Sequence, residues 1–131
     1  MAITFAQMTE EAMANGHMIS AGDALEELKS NPDALLVDAR DEAEVVATGL
    51  GVGAIHAPGR SIAWLADTEI DPQWQEPELQ DRSRRIITTC AMSPPYRGAK
   101  AAELLGKMGF TDVSYVDGGM AALLEAGIET R

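Results

Sequence analysis

Apolar and polar positions along the chain alternate between two periods. Residues 4–15 carry Phe5, Met8, Ala12 and Met13 at helical spacing and stop at Asn15-Gly16. Residues 24–29 repeat the pattern on one side, with Ser20 or Asp23 as the N-cap. Between these helices, residues 17–20 predict a short strand. Ala34-Leu35-Leu36-Val37 is a continuous apolar run, as expected of a strand buried on both faces. Asp38-Ala39-Arg40 leads into a short helix over residues 41–47 with acid in its first turn. A glycine-punctuated loop over 49–53 precedes a third short strand at 54–57, closed by Pro58-Gly59. Residues 61–80 form a long proline-containing connection, with Ile62, Trp64 and Leu65 expected to pack inward and Trp74 expected to be partly exposed. Strand 85–89, helix 99–108, strand 112–116 and helix 120–125 follow, the last two joined by Asp117-Gly118-Gly119.

Strands alternating with helices predict an α/β fold: a five-stranded, mostly parallel sheet with helices on both faces. A length of 131 residues suits one domain, 1–131, with residues 1–17 as an N-terminal helical extension. Ligands in such sheets bind at the carboxyl ends of the strands.

The chain's one cysteine, Cys90, falls at such an end. It follows Ile86-Ile87-Thr88-Thr89 and precedes the irregular stretch Ala91-Met92-Ser93-Pro94-Pro95-Tyr96, after which a helical segment opens at Arg97. Backbone N–H groups at a helix start and a nearby guanidinium both favour a thiolate over a thiol. Two readings therefore stand side by side: a reactive cysteine, and a buried cysteine acting as a small hydrophobe.

Charge narrows the partners. The net charge is −11, from 21 acidic and 10 basic residues. Such a surface repels nucleic acid and anionic lipid, so neither is expected as a partner. An anionic substrate needs a local basic feature, for which Arg97, Arg40 and Arg60 are the candidates. The N-terminus lacks a basic start and a sustained apolar core, so it does not read as a secretory signal. One cysteine makes no internal disulfide, so the cytoplasm is the expected compartment. His17 and His56 are isolated, and His56 reads best as a satisfied structural histidine. With one cysteine and no paired-histidine spacing, no metal site is expected.

Four segments, in order, resemble the single-domain rhodaneses of the sulfurtransferase superfamily. Leu35-Leu36-Val37-Asp38-Ala39-Arg40 resembles that family's strand ending in Asp-x-Arg. The run from Gly49 through Gly51, Gly53, Ala54, Ile55 and His56 to Pro58 resembles its Gly-His-Ile-Pro-Gly-Ala-Ile-Asn-x-Pro. Cys90 falls on the catalytic cysteine, and Val113-Ser114-Tyr115-Val116-Asp117-Gly118-Gly119 resembles the ending with paired glycines. The resemblance implies that the Cys90 thiolate takes a sulfane sulfur, becomes a persulfide, and passes the outer sulfur to a thiophilic acceptor. Ala91, Met92, Ser93, Tyr96 and Arg97 would line the substrate site, with Arg97 holding an anionic donor such as thiosulfate. Asp38 and Arg40 would brace the site structurally. No metal or organic cofactor is implied. The partner would be a small sulfur donor or a protein thiol or persulfide; no oligomeric state follows.

The departures from the family pattern concern the loop. The common rhodanese loop has four residues between cysteine and arginine, and the phosphatases of this fold have five; here there are six, none of them glycine. Pro94 and Pro95 lack N–H groups, and Ser93, preceding a proline, is biased to extended geometry. Leu50 stands where the family often has histidine, and Leu123 where tryptophan is common. An active sulfurtransferase with a widened pocket is the first reading. A non-catalytic binding or redox-sensing module and a phosphatase or arsenate-reductase relative are the alternatives.

Overall fold

A computed structural model describes residues 2–131. Five strands form one sheet: β1 (Met18–Ile19), β2 (Leu35–Asp38), β3 (Ile55–His56), β4 (Ile86–Thr89) and β5 (Val113–Val116). Their spatial order is β1-β5-β4-β2-β3, and every pairing is parallel. Six α-helices connect them: α1 (Phe5–Asn15), α2 (Ala21–Ser30), α3 (Glu42–Thr48), α4 (Ile62–Leu65), α5 (Tyr96–Lys107) and α6 (Gly119–Glu125).

The central strands are apolar throughout because both faces are covered. Leu35, Val37 and Ile86 pack with Ile62, Leu79, Ala101, Leu105 and Phe110 on one face. Leu36 and Ile87 turn to the other face, against Ala24, Met120 and Leu123 of α2 and α6. Strand alternation thus separates neighbouring residues into two cores. The helix α1 lies on α5 through Ala12, Ala99, Ala102 and Tyr115, and the Tyr115 hydroxyl donates to the Met13 carbonyl at 2.9 Å. Met1 of the expected N-terminal extension lies outside the described residues.

Local chemistry sets the helix ends. Thr4 caps α1 through Gln7 N–H at 3.1 Å, and Ser20, not Asp23, caps α2 at 3.1 Å. The start of α5 is Tyr96, ahead of the expected Ala99, because Pro95 occupies the cap position with φ −78° and the helix forms directly after it.

One expectation in the 61–80 connection is overturned. Ile62 is fully buried and Leu65 half-buried, but Trp64 is 43% exposed. The helix α4 has a single turn, and its inward edge is taken by Ile62, Leu65 and the following Ala66, which turns Trp64 outward. Trp74 is exposed as well.

The site is fixed by topology. The chain runs from β2 outward to β3, then returns to place β4 on the other side of β2. The reversal falls between β2 and β4, whose ends are in register at Asp38 and Thr89. The loops leaving these two strands thus start side by side at the carboxyl edge of the sheet, where ligands bind in such folds.

Candidate active site

Cys90 is the first residue beyond β4 and is 2% exposed. Its loop is held from behind by α6. Met120 N–H donates to the Cys90 carbonyl at 2.6 Å, and Ala121 N–H donates to the Ala91 carbonyl at 2.9 Å. This close approach needs Gly119, whose φ is +59°. A Cβ there would stand 2.5 Å from the Cys90 carbonyl oxygen and 2.9 Å from Met92 N. The paired glycines of the sequence therefore seat the cysteine loop. From the other side, the Thr88 hydroxyl donates to the Gly98 carbonyl at 2.7 Å, tying β4 to the first turn of α5.

With the Cys90 and Ala91 carbonyls engaged, most of the loop's amides are left over. The N–H groups of Ala91, Met92, Ser93, Arg97 and Gly98 donate to no acceptor among the described residues. Pro94 and Pro95 contribute none, and Tyr96 N–H donates to the Pro94 carbonyl at 2.8 Å. The Cys90 Sγ lies 4.0 Å from the Met92 carbonyl oxygen. Met92, Ser93 and Pro94 are exposed, whereas Pro95 is buried. Ala91 and Tyr96 are half-buried.

Arg97 stands in the first turn of α5, and its guanidinium is engaged by Glu44. The pair is bidentate, with Nη1–Oε1 at 2.6 Å and Nη2–Oε2 at 2.8 Å. Asp41 adds a longer contact at 3.8 Å. The Arg97 hydrogen bonds, helped by Asp41 N–H and the Arg97 and Arg40 charges, lower the Glu44 carboxyl to about 2 against the penalty of partial burial. Arg97 is held above its ordinary value, first by the Glu44 hydrogen bonds and then by the Glu44, Cys90 and Asp41 charges. Arg97 and Tyr96 line a hollow of about 140 Å³ with Gly59, Ile62, Lys100, Ala101 and Leu104. The Tyr96 ring also meets Phe5 of α1, centroids 4.7 Å apart.

Asp38 and Arg40 form a buried ion pair, Nη2–Oδ2 at 2.8 Å, both side chains almost fully covered. Arg40 reaches on to the Glu44 carbonyl at 3.3 Å, the Thr48 hydroxyl at 2.9 Å and the Gly49 carbonyl at 3.4 Å. One guanidinium thus ties the end of β2 to both ends of α3. His56 sits 2.7 Å through Nε2 from the Arg40 carbonyl. Arg60 is exposed and pairs with Glu42 at 2.9 Å. All three arginines that the sequence offered for an anionic substrate are thus paired with carboxylates: Arg40 with Asp38, Arg60 with Glu42 and Arg97 with Glu44. No group of three or more potential metal ligands occurs among the described residues.

Glu44 is the site residue that sequence reading missed. Its spacing from Asp41 suits a capping box, and its Oε1 accepts Asp41 N–H at 3.2 Å. The partnership with Arg97 spans 53 positions and leaves no mark in local pattern.

The model of the rhodanese-like domain matches residues 20–126, and the chain belongs to this family. No curated protein matches the chain in sequence. Among solved structures, it is similar to a protein of unknown function from Rhodopseudomonas palustris CGA009, described as a possible tyrosine phosphatase. That structure superposes with a TM-score of 0.87 at 25% identity, covering 100% of this chain and 96% of the other. The polysulfide-sulfur transferase homodimer of Wolinella succinogenes matches with a TM-score of 0.70 at 27% identity, over 96% of this chain and 85% of that one. The human single-domain sulfurtransferase TSTD1 shares the fold, with a TM-score of 0.70 at 22% identity over 85% and 97% of the two chains. No helix among the described residues is long and apolar enough to cross a membrane.

Proposed function

We propose that the protein is a sulfurtransferase that carries sulfane sulfur on Cys90. The observation that carries the reading is the loop itself: a cysteine at the sheet's carboxyl edge, followed by three unengaged amides, Ala91, Met92 and Ser93, while α6 ties down the Cys90 and Ala91 carbonyls. Loop N–H groups that no protein acceptor engages are available to stabilise a sulfur anion carried on Cys90. With a persulfide donor R–S–SH, the Cys90 thiolate attacks the outer sulfur. A Cys90 S–S bond forms, the donor's S–S bond breaks, and R–S⁻ leaves with the electron pair. A second nucleophile then attacks the same outer sulfur and releases the Cys90 thiolate. No net oxidant is consumed.

Donor class follows from charge and access. Arg97 is committed to Glu44, so a small dianion such as thiosulfate meets no free guanidinium. Cys90 is 2% exposed, so a donor needs the surrounding loop to yield before it reaches the sulfur. A polysulfide or a persulfide, free or on a partner protein, is also anionic but brings no sulfonate group that calls for a guanidinium, so it suits this site better than thiosulfate. The similarity to the Wolinella polysulfide-sulfur transferase supports the same class. Intact-mass spectrometry across a panel of thiosulfate, polysulfide and glutathione persulfide tests it. The expected result is one added sulfur on the wild type, least with thiosulfate, and none on Cys90→Ser. No adduct with any donor, in protein whose Cys90 is reduced and reachable by an alkylating agent, overturns the reading.

A phosphatase reading is favoured by the similarity to the Rhodopseudomonas protein. Against it stand the two prolines in the loop and the carboxylate on Arg97, both of which weaken a cradle for a phosphate dianion. Hydrolysis of p-nitrophenyl phosphate that is lost in Cys90→Ser would favour that reading instead.

A further inference from the structure

The 61–80 connection contains no strand, yet it is firmly braced. Gln75 Nε2 donates to the carbonyls of Asp67 at 3.0 Å and Ile70 at 3.3 Å. Gln80 Nε2 donates to those of Leu65 and Glu76, both at 3.0 Å. Arg82 Nη2 donates to the Ala66 carbonyl at 2.6 Å, and Ile62 and Leu79 anchor the ends in the core. On this fixed frame two indoles face solvent: Trp64 is 43% and Trp74 55% exposed. With Ile70 they wall an apolar notch of about 280 Å³.

The surroundings select the occupant. Residues 61–80 hold Asp67, Glu69, Asp71, Glu76 and Glu78 and no basic residue. Glu69 and Asp71 flank Ile70 in the chain. Asp67, Glu69, Asp71 and Glu76 form no ion pair among the described residues; Glu78 alone is paired, with Arg84. An apolar surface of indoles attracts cations through the ring faces, and Glu69 and Asp71, which flank the notch residue Ile70 in the chain and form no ion pair among the described residues, add to that preference. Rigid bracing removes the ordering cost that a mobile loop would incur on binding.

We propose that the Trp64–Ile70–Trp74 notch is a docking site for a basic segment of a partner protein. One lysine or arginine side chain lays its alkyl stem and charge on the indoles, with Glu69 and Asp71 as its charge partners. The site goes beyond the sulfur chemistry and does not depend on it.

The chain's only two tryptophans form this notch, so intrinsic fluorescence reports on it directly. Titration of the intact protein with acetylated octa-arginine, in wild type and in Cys90→Ser, is expected to give a saturable change in both, with none for octa-glutamate. Trp74→Ala, read through Trp64, and the double change Glu69→Gln with Asp71→Asn are each expected to weaken binding by about tenfold, the scale of one cation–aromatic contact with its charge partners. Changing Glu10 and Glu11 of α1 to glutamine leaves binding unchanged. Three results would overturn the proposal: no fluorescence change, equal weakening by the α1 and notch variants, or a dimer in sedimentation that buries the tryptophans and excludes the peptide.

Discussion

Glu44 serves two partners at once, and its chemistry shapes the site. One oxygen closes the first turn of α3 on Asp41 N–H while both oxygens hold Arg97. Its carboxyl is lowered to about 2 from an ordinary 4.5, mainly by the Arg97 hydrogen bonds. A depressed carboxylate stabilises the folded state at pH above the unfolded value and loses that contribution as pH falls through the folded one. Stability from this pair is therefore full above about pH 4.5 and fades toward about pH 2. Denaturant titrations of wild type and Glu44→Gln should differ by about 1 kcal/mol at neutral pH, in the range for a partly exposed charged hydrogen bond, and converge near pH 2. The same variant frees Arg97, so thiosulfate should load Cys90 faster in Glu44→Gln than in wild type. The Asp38–Arg40 pair obeys different energetics because it is buried. Asp38→Ala leaves the Arg40 charge without its partner and should cost about 3–5 kcal/mol in a denaturant titration. Of these residues, Cys90, Asp38 and Arg40 stand in local motifs that the sequence displays. Glu44 stayed hidden because its partner comes from another element, and Trp64 was misplaced because a one-turn helix carries too few positions to show which face is inward.

Elements were legible where burial is two-sided or a cap is local. The runs Leu35–Val37 and Ile86–Ile87 can only be satisfied inside a covered sheet, and they are the central strands. The loop after Cys90 was not legible, since its shape depends on contacts from α6, thirty positions downstream. Those contacts give an element-scale prediction. Gly119→Ala would set a Cβ 2.5 Å from the Cys90 carbonyl at a positive φ. It should cost about 2–3 kcal/mol and push the loop off α6. The expected readouts are a lower Tm and slower sulfur loading, whereas Gly106→Ala, with open space around its Cβ and a helical backbone, should leave loading unchanged and hold or raise Tm.

At the scale of the molecule, charge sets how donors arrive. The net charge is −11, and Arg40, Arg60 and Arg97 are each matched by a carboxylate. An anionic donor therefore approaches against a repulsive field that salt weakens. Loading of Cys90 by thiosulfate should accelerate severalfold as ionic strength rises from about 0.01 M to about 0.2 M. A rate that falls with salt would mean that a free positive site guides the donor.

The central claim is that Cys90 passes sulfur on and does not merely acquire it. Protein loaded with one sulfur, freed of donor and mixed with a thiol acceptor, separates the two by intact mass. Loss of that sulfur from the protein, matched by its appearance as persulfide on the acceptor, is the predicted result. A Cys90 that never takes up sulfur, or that holds it unchanged in the presence of acceptor, would contradict the account.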